Sequence, residues 1–289
     1  MQREPSVPGP AGVLYVVGTP IGNLGDLTPR AAQVLNECSV VCAEDTRRTR
    51  ALLSHLGIMG KRLHALHAHS SERAVSQALQ WIREGQRVAL VTDAGTPCVS
   101  DPGSELIRAC HEEALQVVSV PGASAVTTAV SVSGLVDGAF TFLGFLPRSG
   151  AKRGRLLKRI AENSDPSVLF EAPGRVAATL RDLAELIPER RACVARELSK
   201  LHEQVRVATL AQLASTEDEW RGECTLVIQG QTEPDEPPEI GDDAALRTEI
   251  ATALRAGAGT KALADALAAR LGRSRKELYS LVLQCAEDA

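Results

Sequence analysis

Val91-Thr92-Asp93-Ala94-Gly95-Thr96-Pro97-Cys98-Val99-Ser100-Asp101-Pro102-Gly103 follows the apolar run Val88-Ala89-Leu90-Val91 and precedes Ser104-Glu105-Leu106-Ile107-Arg108-Ala109-Cys110. The run has the length and branching of a buried strand, and the segment after it has helical spacing. Within 93–103 lie two carboxylates, two prolines, two glycines and two hydroxyls. Pro97 and Pro102 fix their own φ and remove amide donors, while Gly95 and Gly103 open backbone conformations closed to other residues. The pattern predicts a stiff loop at the carboxyl end of a strand, where open α/β sheets bind ligands. An ordinary strand-to-helix connector is the plainer alternative.

Working outward, Val13-Leu14-Tyr15-Val16-Val17 reads as a strand feeding the loop 18–26, and Thr28-Pro29 opens a helix as cap and first-turn proline that runs to about Cys38. A second strand, 39–43, ends in Glu44-Asp45-Thr46-Arg47-Arg48-Thr49-Arg50, with a helix expected over 51–56. A third, 62–66, leads into His67-Ala68-His69-Ser70-Ser71 and a helix over about 72–84. Strand 117–120 then delivers Pro121-Gly122-Ala123-Ser124-Ala125 to the next helix. This alternation predicts a largely parallel sheet with helices on both faces. Neither G-x-G-x-x-G nor G-x-x-x-x-G-K-[ST] occurs, so a dinucleotide site and a P-loop lose support.

The second half keeps the mixture, with strands expected near 140–145, 167–171, 192–197 and 224–229 and helices near 151–162 and 176–187. The expected division is a disordered leader (1–12), two α/β domains (13–121 and 122–231), an acidic linker (232–243) and a helical tail (244–289). The linker carries six acids and no base, so the remainder of a chain of net charge −4 sums to +2, which leaves a polyanionic partner open. In the tail, short helices joined by Gly272-Arg273-Ser274 resemble a helix-turn-helix unit whose basic residues are Lys261, Arg270, Arg273, Arg275 and Lys276. A small packing domain with solvated charges fits equally well.

With 289 residues, 44% apolar and 24% charged, the chain has material for two ordinary domains and a large core, built from aliphatic side chains because only 3% is aromatic. Seven scattered cysteines without a Cys-x-x-Cys predict reduced thiols. No run approaches the roughly 18 apolar residues of a membrane helix, and the first dozen residues lack the character of a signal peptide, so a cytoplasmic location with no membrane partner is expected.

The loops 18–26, 44–50, 67–71, 93–103 and 121–125 all follow strands of one parallel sheet, so they can meet at one edge. Their lining of acids, hydroxyls and small residues suits a ligand with ribose hydroxyls and a positive centre better than a triphosphate. Six motifs stand here in order: Thr19-Pro20-Ile21-Gly22-Asn23-Leu24, Ala43-Glu44-Asp45-Thr46-Arg47, Asp93-Ala94-Gly95-Thr96-Pro97, Asp101-Pro102-Gly103, Pro121-Gly122 and Ala195-Arg196-Glu197-Leu198-Ser199-Lys200. Together they resemble the RsmI family, 16S ribosomal RNA cytidine 2'-O-methyltransferases of the tetrapyrrole-methylase-like superfamily, over about residues 13–230 and the tail. That resemblance implies two α/β domains of the tetrapyrrole methylase type with a cleft between them, a small helical domain, and a homodimer. It implies S-adenosylmethionine as donor, no metal, and a cytidine 2'-hydroxyl in the decoding region of small-subunit ribosomal RNA, or of the assembled small subunit, as acceptor.

Carried over motif by motif, the resemblance puts donor contacts on Pro20, Asp93, Ala94, Gly95, Thr96, Pro97, Ser124 and Ala125, and near Glu171 and Glu197. It puts acceptor contacts on Thr46, Arg47, Arg48, His67, His69, Asp101, Arg175 and Arg196. Gly174 stands where the family usually has a histidine. A ribose hydroxyl is a poor nucleophile, and a proton acceptor beside it contributes on the order of 10² to 10⁴ in rate. Glu44 and Asp45 are the first candidates, with Arg47 able to hold one ionised; Lys200 is the second, if its pKa is depressed. Glu44 has a competing reading, since an acid after the second strand often accepts cofactor ribose hydroxyls, and the cluster has a plainer one as surface ion pairs.

His64-x-x-His67-x-His69 invites a zinc reading, but no cysteine or acid stands at matching spacing, and loop or RNA contact is preferred. Cys98 lacks an evident activating base and reads as a small packing residue. A precorrin-type tetrapyrrole methyltransferase would keep the donor site, but the 44–50 cluster and basic tail are superfluous to it. A non-catalytic RNA-binding or ribosome-assembly module is the alternative from a different class, weakened by the scarcity of aromatics for base stacking.

Overall fold

The structure is a computed structural model that describes residues 12–67, 71–216, 219–231, 243–271 and 274–287. Most of the expected leader and acidic linker, together with His69, Gly272 and Arg273, lies outside the described residues. The chain divides into two compact units, Met1–Gln231 and Thr232–Ala289. Both expected α/β halves fall in the first of these, with one five-stranded sheet each.

In the first sheet, β1 (Val13–Val17), β2 (Val40–Ala43), β3 (Arg62–Ala65), β4 (Arg87–Val91) and β5 (Gln116–Val120) lie in the order 3-2-4-1-5, and every pairing is parallel. All four residues of β2 and the last four of β4 are buried, as the apolar runs require of a sheet covered on both faces. Alternate residues serve opposite cores. Val41, Ala43, Ala89 and Val91 pack with α1 (Pro29–Glu37) and α2 (Thr46–His55). Val40, Cys42, Val88 and Leu90 pack with α3 (Glu72–Arg83) and α4 (Ser104–Glu112). α1 begins as the sequence predicts, with the Thr28 hydroxyl accepting from the Ala31 amide at 3.1 Å and Pro29 in the first turn. α2 differs: it starts five residues before the expected Ala51, because the Asp45 side chain accepts from the Arg47 amide and caps it. Residues 46–50 are therefore helix rather than loop.

The second sheet is mostly antiparallel, unlike the first. β6 (Thr141–Phe145), β7 (Ser167–Glu171), β8 (Arg191–Arg196), β9 (Gln204–Thr209) and β10 (Cys224–Ile228) lie in the order 6-7-10-8-9, with only β6 and β7 parallel. Sequence reasoning missed β9 and the short α8 (Leu210–Ala214), since β9 is a half-exposed edge strand with no apolar run. One face of this sheet packs on α8, α6 (Gly150–Glu162) and α7 (Pro173–Leu186) through Leu157, Ile160, Leu180, Leu183 and Leu213. The other face packs on α5 (Ala125–Ser133), and Ile21 and Val99 from the first half join that cluster. The two halves thus share a core.

The second unit holds α9 (Asp243–Arg255), α10 (Thr260–Leu271) and α11 (Arg275–Glu287) around Leu246, Ile250, Leu267, Leu278 and Val282. Arg270 pairs with Glu249 at 2.8 Å and Arg275 pairs with Asp265, so two of the tail's five singled-out cations are already neutralised.

Gly18 and Gly122, after β1 and β5, touch backbone to backbone: a Cβ on either would lie 2.8 Å from the other's main chain. Neither backbone can yield as a flexible side chain would. Gly122→Ala is expected to destabilise the fold by about 1–3 kcal/mol, as overpacking does, and to lower Tm by several degrees; an unchanged melting curve would show that these loops can separate.

Candidate active site

Three loops of the first sheet are tied together at its carboxyl edge. Thr19 and Gly95 exchange backbone hydrogen bonds at 2.8 and 3.1 Å, and the buried Thr19 hydroxyl donates to the carbonyls of Thr92 and Gly95, 3.2 Å from each. Gly95 holds a φ of +87°, the left-handed region that favours glycine. The Thr96 hydroxyl donates to the Ala123 carbonyl at 3.2 Å, fastening the third loop. Further along, Cys98 and Ser100 are non-glycine residues with φ of 69° and 68°, an outlier pair inside the segment between the two prolines.

Beside these loops opens a cleft of about 420 Å³. On one side it is lined by Ile21, Glu44, Arg48, residues 92–96, 99–101, Ser124 and Ala125, and on the other by Phe145, 170–173 and 222–225. A bulge between Phe142 and Phe145 interrupts the pairing of β6 with β7; within it Gly144 holds a φ of +63°, and a Cβ added there would lie 3.2 Å from the Ser100 hydroxyl. Phe145 is 57% exposed at the cleft, and its ring centroid lies 5.5 Å from that of Phe170.

Carboxylates concentrate on the first-sheet side. Glu44 accepts from the Thr92 hydroxyl at 2.8 Å, and Asp93 accepts from the Asp45 amide at 3.0 Å while Arg48 stands 3.4 Å away. Burial pushes the Asp93 carboxyl up from its ordinary value. Asp101 is pushed up to about 6, first by burial and then by the charges of Glu44 and Asp93, against a lowering contact with the Thr92 hydroxyl. Glu44, Ser100 and Asp101 also line an adjoining cavity of about 310 Å³, bordered by His67 and the start of α4.

The tetrapyrrole (corrin/porphyrin) methylases match residues 13–214. Ribosomal RNA small subunit methyltransferase I of Synechocystis sp. is 40% identical over 280 residues, covering 96% of this chain and 99% of that one. The protein of the same name from Xylella fastidiosa is 44% identical over 229 residues, covering 78% and 84%. The chain belongs to the ribosomal RNA small subunit methyltransferase I family. It is a methyltransferase, and the non-catalytic reading falls. The fold is that of the tetrapyrrole methylases: a uroporphyrin-III C-methyl transferase from Thermus thermophilus, complexed with S-adenosylhomocysteine, superposes with a TM-score of 0.53 at 21% identity, covering 75% of this chain and 97% of that one.

Against that family, the site residues singled out from the sequence sort into three positions. Asp93, Ala94, Gly95, Thr96, Ser124, Ala125, Glu44, Arg48 and Asp101 line the cleft. Pro20 and Pro97 are not among the lining residues; Ile21 is, and Pro97 is buried beneath its loop. His67 borders the adjoining cavity, Thr46 opens α2, and His69 lies outside the described residues.

Others serve different purposes. Asp45 caps α2 and pairs with the 85%-exposed Arg47, whose hydrogen bonds hold the carboxyl down at about 2. Asp45 is thus a capping and ion-paired carboxylate in this structure. Lys200 Nζ donates to Glu197 at 2.8 Å and Glu223 at 3.0 Å, and its pKa is raised: burial alone would lower it, but these carboxylates outweigh burial. The shift is thus upward, where a basic Lys200 was expected to have a depressed pKa. Its stem covers Gly22, where a Cβ would lie 2.3 Å from Lys200 Cγ. Glu197 accepts from the Glu223 amide at 2.9 Å, and Arg196 donates to the carbonyls of Arg221 and His202. Residues 196–200 are therefore tied to Glu223, which lines the cleft.

The Glu171 side chain is fully buried. It accepts from Thr179 at 2.7 Å, from the Ala172 amide at 2.9 Å and from Arg175 Nε at 3.0 Å, with Arg153 at 4.0 Å. Arg175 in turn donates to the Leu146 carbonyl at 2.5 Å. Glu171 is thus held in this network while also lining the cleft, and Arg175, its partner there, is not among the lining residues. Gly174, on α7, has open space where a Cβ would stand. His64 faces the Ala74 carbonyl at 2.9 Å and stacks edge-on with Trp81, and no metal-holding cluster of His, Cys, Asp and Glu occurs among the described residues. Burial raises the Cys98 thiol, which lies 3.8 Å from the Pro102 carbonyl. Phe145, Phe170 and 222–225 were not anticipated; Gly222, at φ +75° against Glu197, is the one local signal there.

An Asp101 carboxyl that is harder to ionise folded than unfolded costs stability above pH 6 and nothing below the ordinary carboxyl range. Asp101→Asn is therefore expected to stabilise the fold at pH 7 by about 1 kcal/mol, since the carboxyl is half exposed and water screens part of the cost. The gain should fade as pH falls from 6 to 4, read from denaturant midpoints across that range.

Proposed function

We propose that the chain transfers the methyl group of S-adenosylmethionine, held in the 420 Å³ cleft, to the 2'-hydroxyl of a cytidine in the decoding region of small-subunit ribosomal RNA. The single observation that carries the reading is the wall shared by the cleft and the adjoining cavity, on which Glu44 and Asp101 meet. The cleft is within the size range of small-ligand pockets, about 300–1,000 Å³. Its apolar floor of Ile21, Ala94 and Ala125 and its acidic flank suit a molecule that is part nucleoside and part cation. The relatives support the rest: one fold neighbour carries the demethylated donor, and the family is named for its RNA.

When bound, the donor supplies an electrophilic methyl group on a positively charged sulfur, so transfer is an in-line displacement needing no metal. The chain's contribution is to position and to accept a proton. Residues 93–96 and 124–125, made rigid by the Thr19–Gly95 bridge and the Thr96–Ala123 bond, hold the donor. Arg48, exposed beside Asp93, meets the acceptor's phosphate. Asp101 takes the ribose proton, with the Thr92 hydroxyl in contact with it and the charge of Glu44 raising its basicity. A carboxylate near pKa 6 is a better base than one near 4 and is still ionised at neutral pH. The homodimer and the cytoplasmic location implied by the resemblance belong to the same proposal; the exposed Leu201, and Val205 on the edge strand β9, support the homodimer. Among the described residues no helix is long and apolar enough to cross a membrane.

Incubation of undermodified small subunits with labelled donor tests the reaction: label on a cytidine ribose is expected, and label on a base or on a tetrapyrrole alone would overturn the assignment. Asp101→Asn is expected to lower kcat by about 10²-fold or more with donor affinity unchanged. In the wild type, kcat should fall tenfold per pH unit below about 6, as Asp101 protonates; a flat profile would remove Asp101 from the role.

A further inference from the structure

We propose that the outer face of α6 is a docking surface for the phosphate backbone of the RNA substrate, outside the cleft. α6 carries five cations and one carboxylate, in a chain whose net charge is −4. Its inner face, Arg153, Leu157 and Ile160, is buried. Arg148, just before the helix, and Lys152, Arg155 and Arg159 follow one another at steps of four, three and four residues, and all are exposed. That spacing places Lys152, Arg155 and Arg159 in one stripe along a helix about 20 Å long, with Arg148 in the turn that leads into it. None of the four forms an ion pair with a described residue, whereas Lys158 is paired with Glu162 at 3.6 Å.

The stripe works against the helix that bears it. Like charges three and four residues apart repel, and cations in the first turn oppose the helix dipole. No acid stands in that turn. A polyanion laid along the face relieves both penalties. Arg155, Lys158 and Arg159 also border a shallow depression of about 440 Å³, together with Asn163 and Glu162, the partner of Lys158.

Placement favours RNA. Phe145, at the cleft mouth, precedes Arg148 by three residues, and the intervening turn is pinned by Arg175 to the Leu146 carbonyl and by Arg153 to the Pro147 carbonyl at 3.3 Å. The stripe therefore starts beside the cleft on a rigid mount and leads away from it. A strand whose nucleotide enters the cleft continues along the stripe. This inference rests on the RNA-methylating reading, and the experiment separates the two.

The full chain and its Lys152→Gln/Arg155→Gln/Arg159→Gln variant are compared for binding to small-subunit ribosomal RNA without donor, from 50 to 200 mM salt, and then for methyl transfer. Binding by the variant is expected to weaken about tenfold or more, and its log–log salt slope to shrink by about 2, as three lost contacts to a single strand require. KM for the RNA should rise while donor affinity and the circular dichroism spectrum stay as in the wild type. Equal affinity and slope in an actively methylating pair would overturn the surface and leave the reaction standing. Binding that depends on the three cations, with no methyl placed on RNA by the wild type, would keep the surface and overturn the reaction. Loss of binding to anionic lipid vesicles with RNA binding intact would also overturn it.

Discussion

The site depends on a short backbone bridge between loops whose strands are far apart in sequence. Thr19 and Gly95 pair main chain to main chain, Gly18 and Gly122 touch without side chains between them, and Thr96 reaches the Ala123 carbonyl. The strand order makes this possible, since β1 lies between β4 and β5 and the three loops leave neighbouring strands. Backbone contacts of this kind cannot be stretched by rotating a side chain. A ligand on residues 93–96 and 124–125 therefore meets a surface ordered in advance, which reduces the entropy lost on binding.

The distribution of charge separates two tasks. Arginines and lysines close to the cleft are mostly consumed: Arg47 by Asp45, Lys200 by Glu197 and Glu223, Arg175 and Arg153 by Glu171. The acids Glu44, Asp93 and Asp101 are less completely neutralised, with Arg48 at 3.4 Å from Asp93 the nearest cation. Acids therefore outnumber cations on that side of the cleft, where Arg48 is the one cation among the lining residues. The exposed cations of α6 stand apart from these acids.

Legibility in the sequence followed the physics of each element. The buried parallel strands could be read because burial on both faces leaves uninterrupted apolar runs such as Val40-Val41-Cys42-Ala43. The loops could be read because Gly95, Gly103, Pro97 and Pro102 have few other reasons to stand together. α2 was read as starting too late because its first turn, Thr46-Arg47-Arg48-Thr49-Arg50, is almost wholly polar; the Asp45 cap and the buried Thr49 and Leu53 hold it. The far wall of the cleft was illegible. Phe145, Phe170 and 222–225 come from strand ends of a mixed sheet, and nothing local distinguishes a strand end at a cleft from one at the surface. The motif 196–200 shows the converse: its charges looked reactive, yet they pair with each other and with Glu223, and only the partners' positions reveal it.

One helix connects the two charge regimes. The inner face of α6 supplies Arg153, which donates to Asp182 at 2.7 Å, to Thr179 at 3.0 Å and to the Pro147 carbonyl, and which stands 4.0 Å from the buried Glu171. A buried carboxylate without such neighbours would be driven to its neutral form or expelled. Because Arg153 is thus fixed, the rotation of α6 about its own axis is fixed as well. The side chains on the opposite face then have no choice of direction: Lys152, Arg155 and Arg159 must project outward together. The same ion network that steadies the turn behind Phe145 therefore sets the heading of the basic stripe, so that a substitution at Arg153 would disturb cleft wall and stripe at once, whereas one at Arg155 would reach only the stripe.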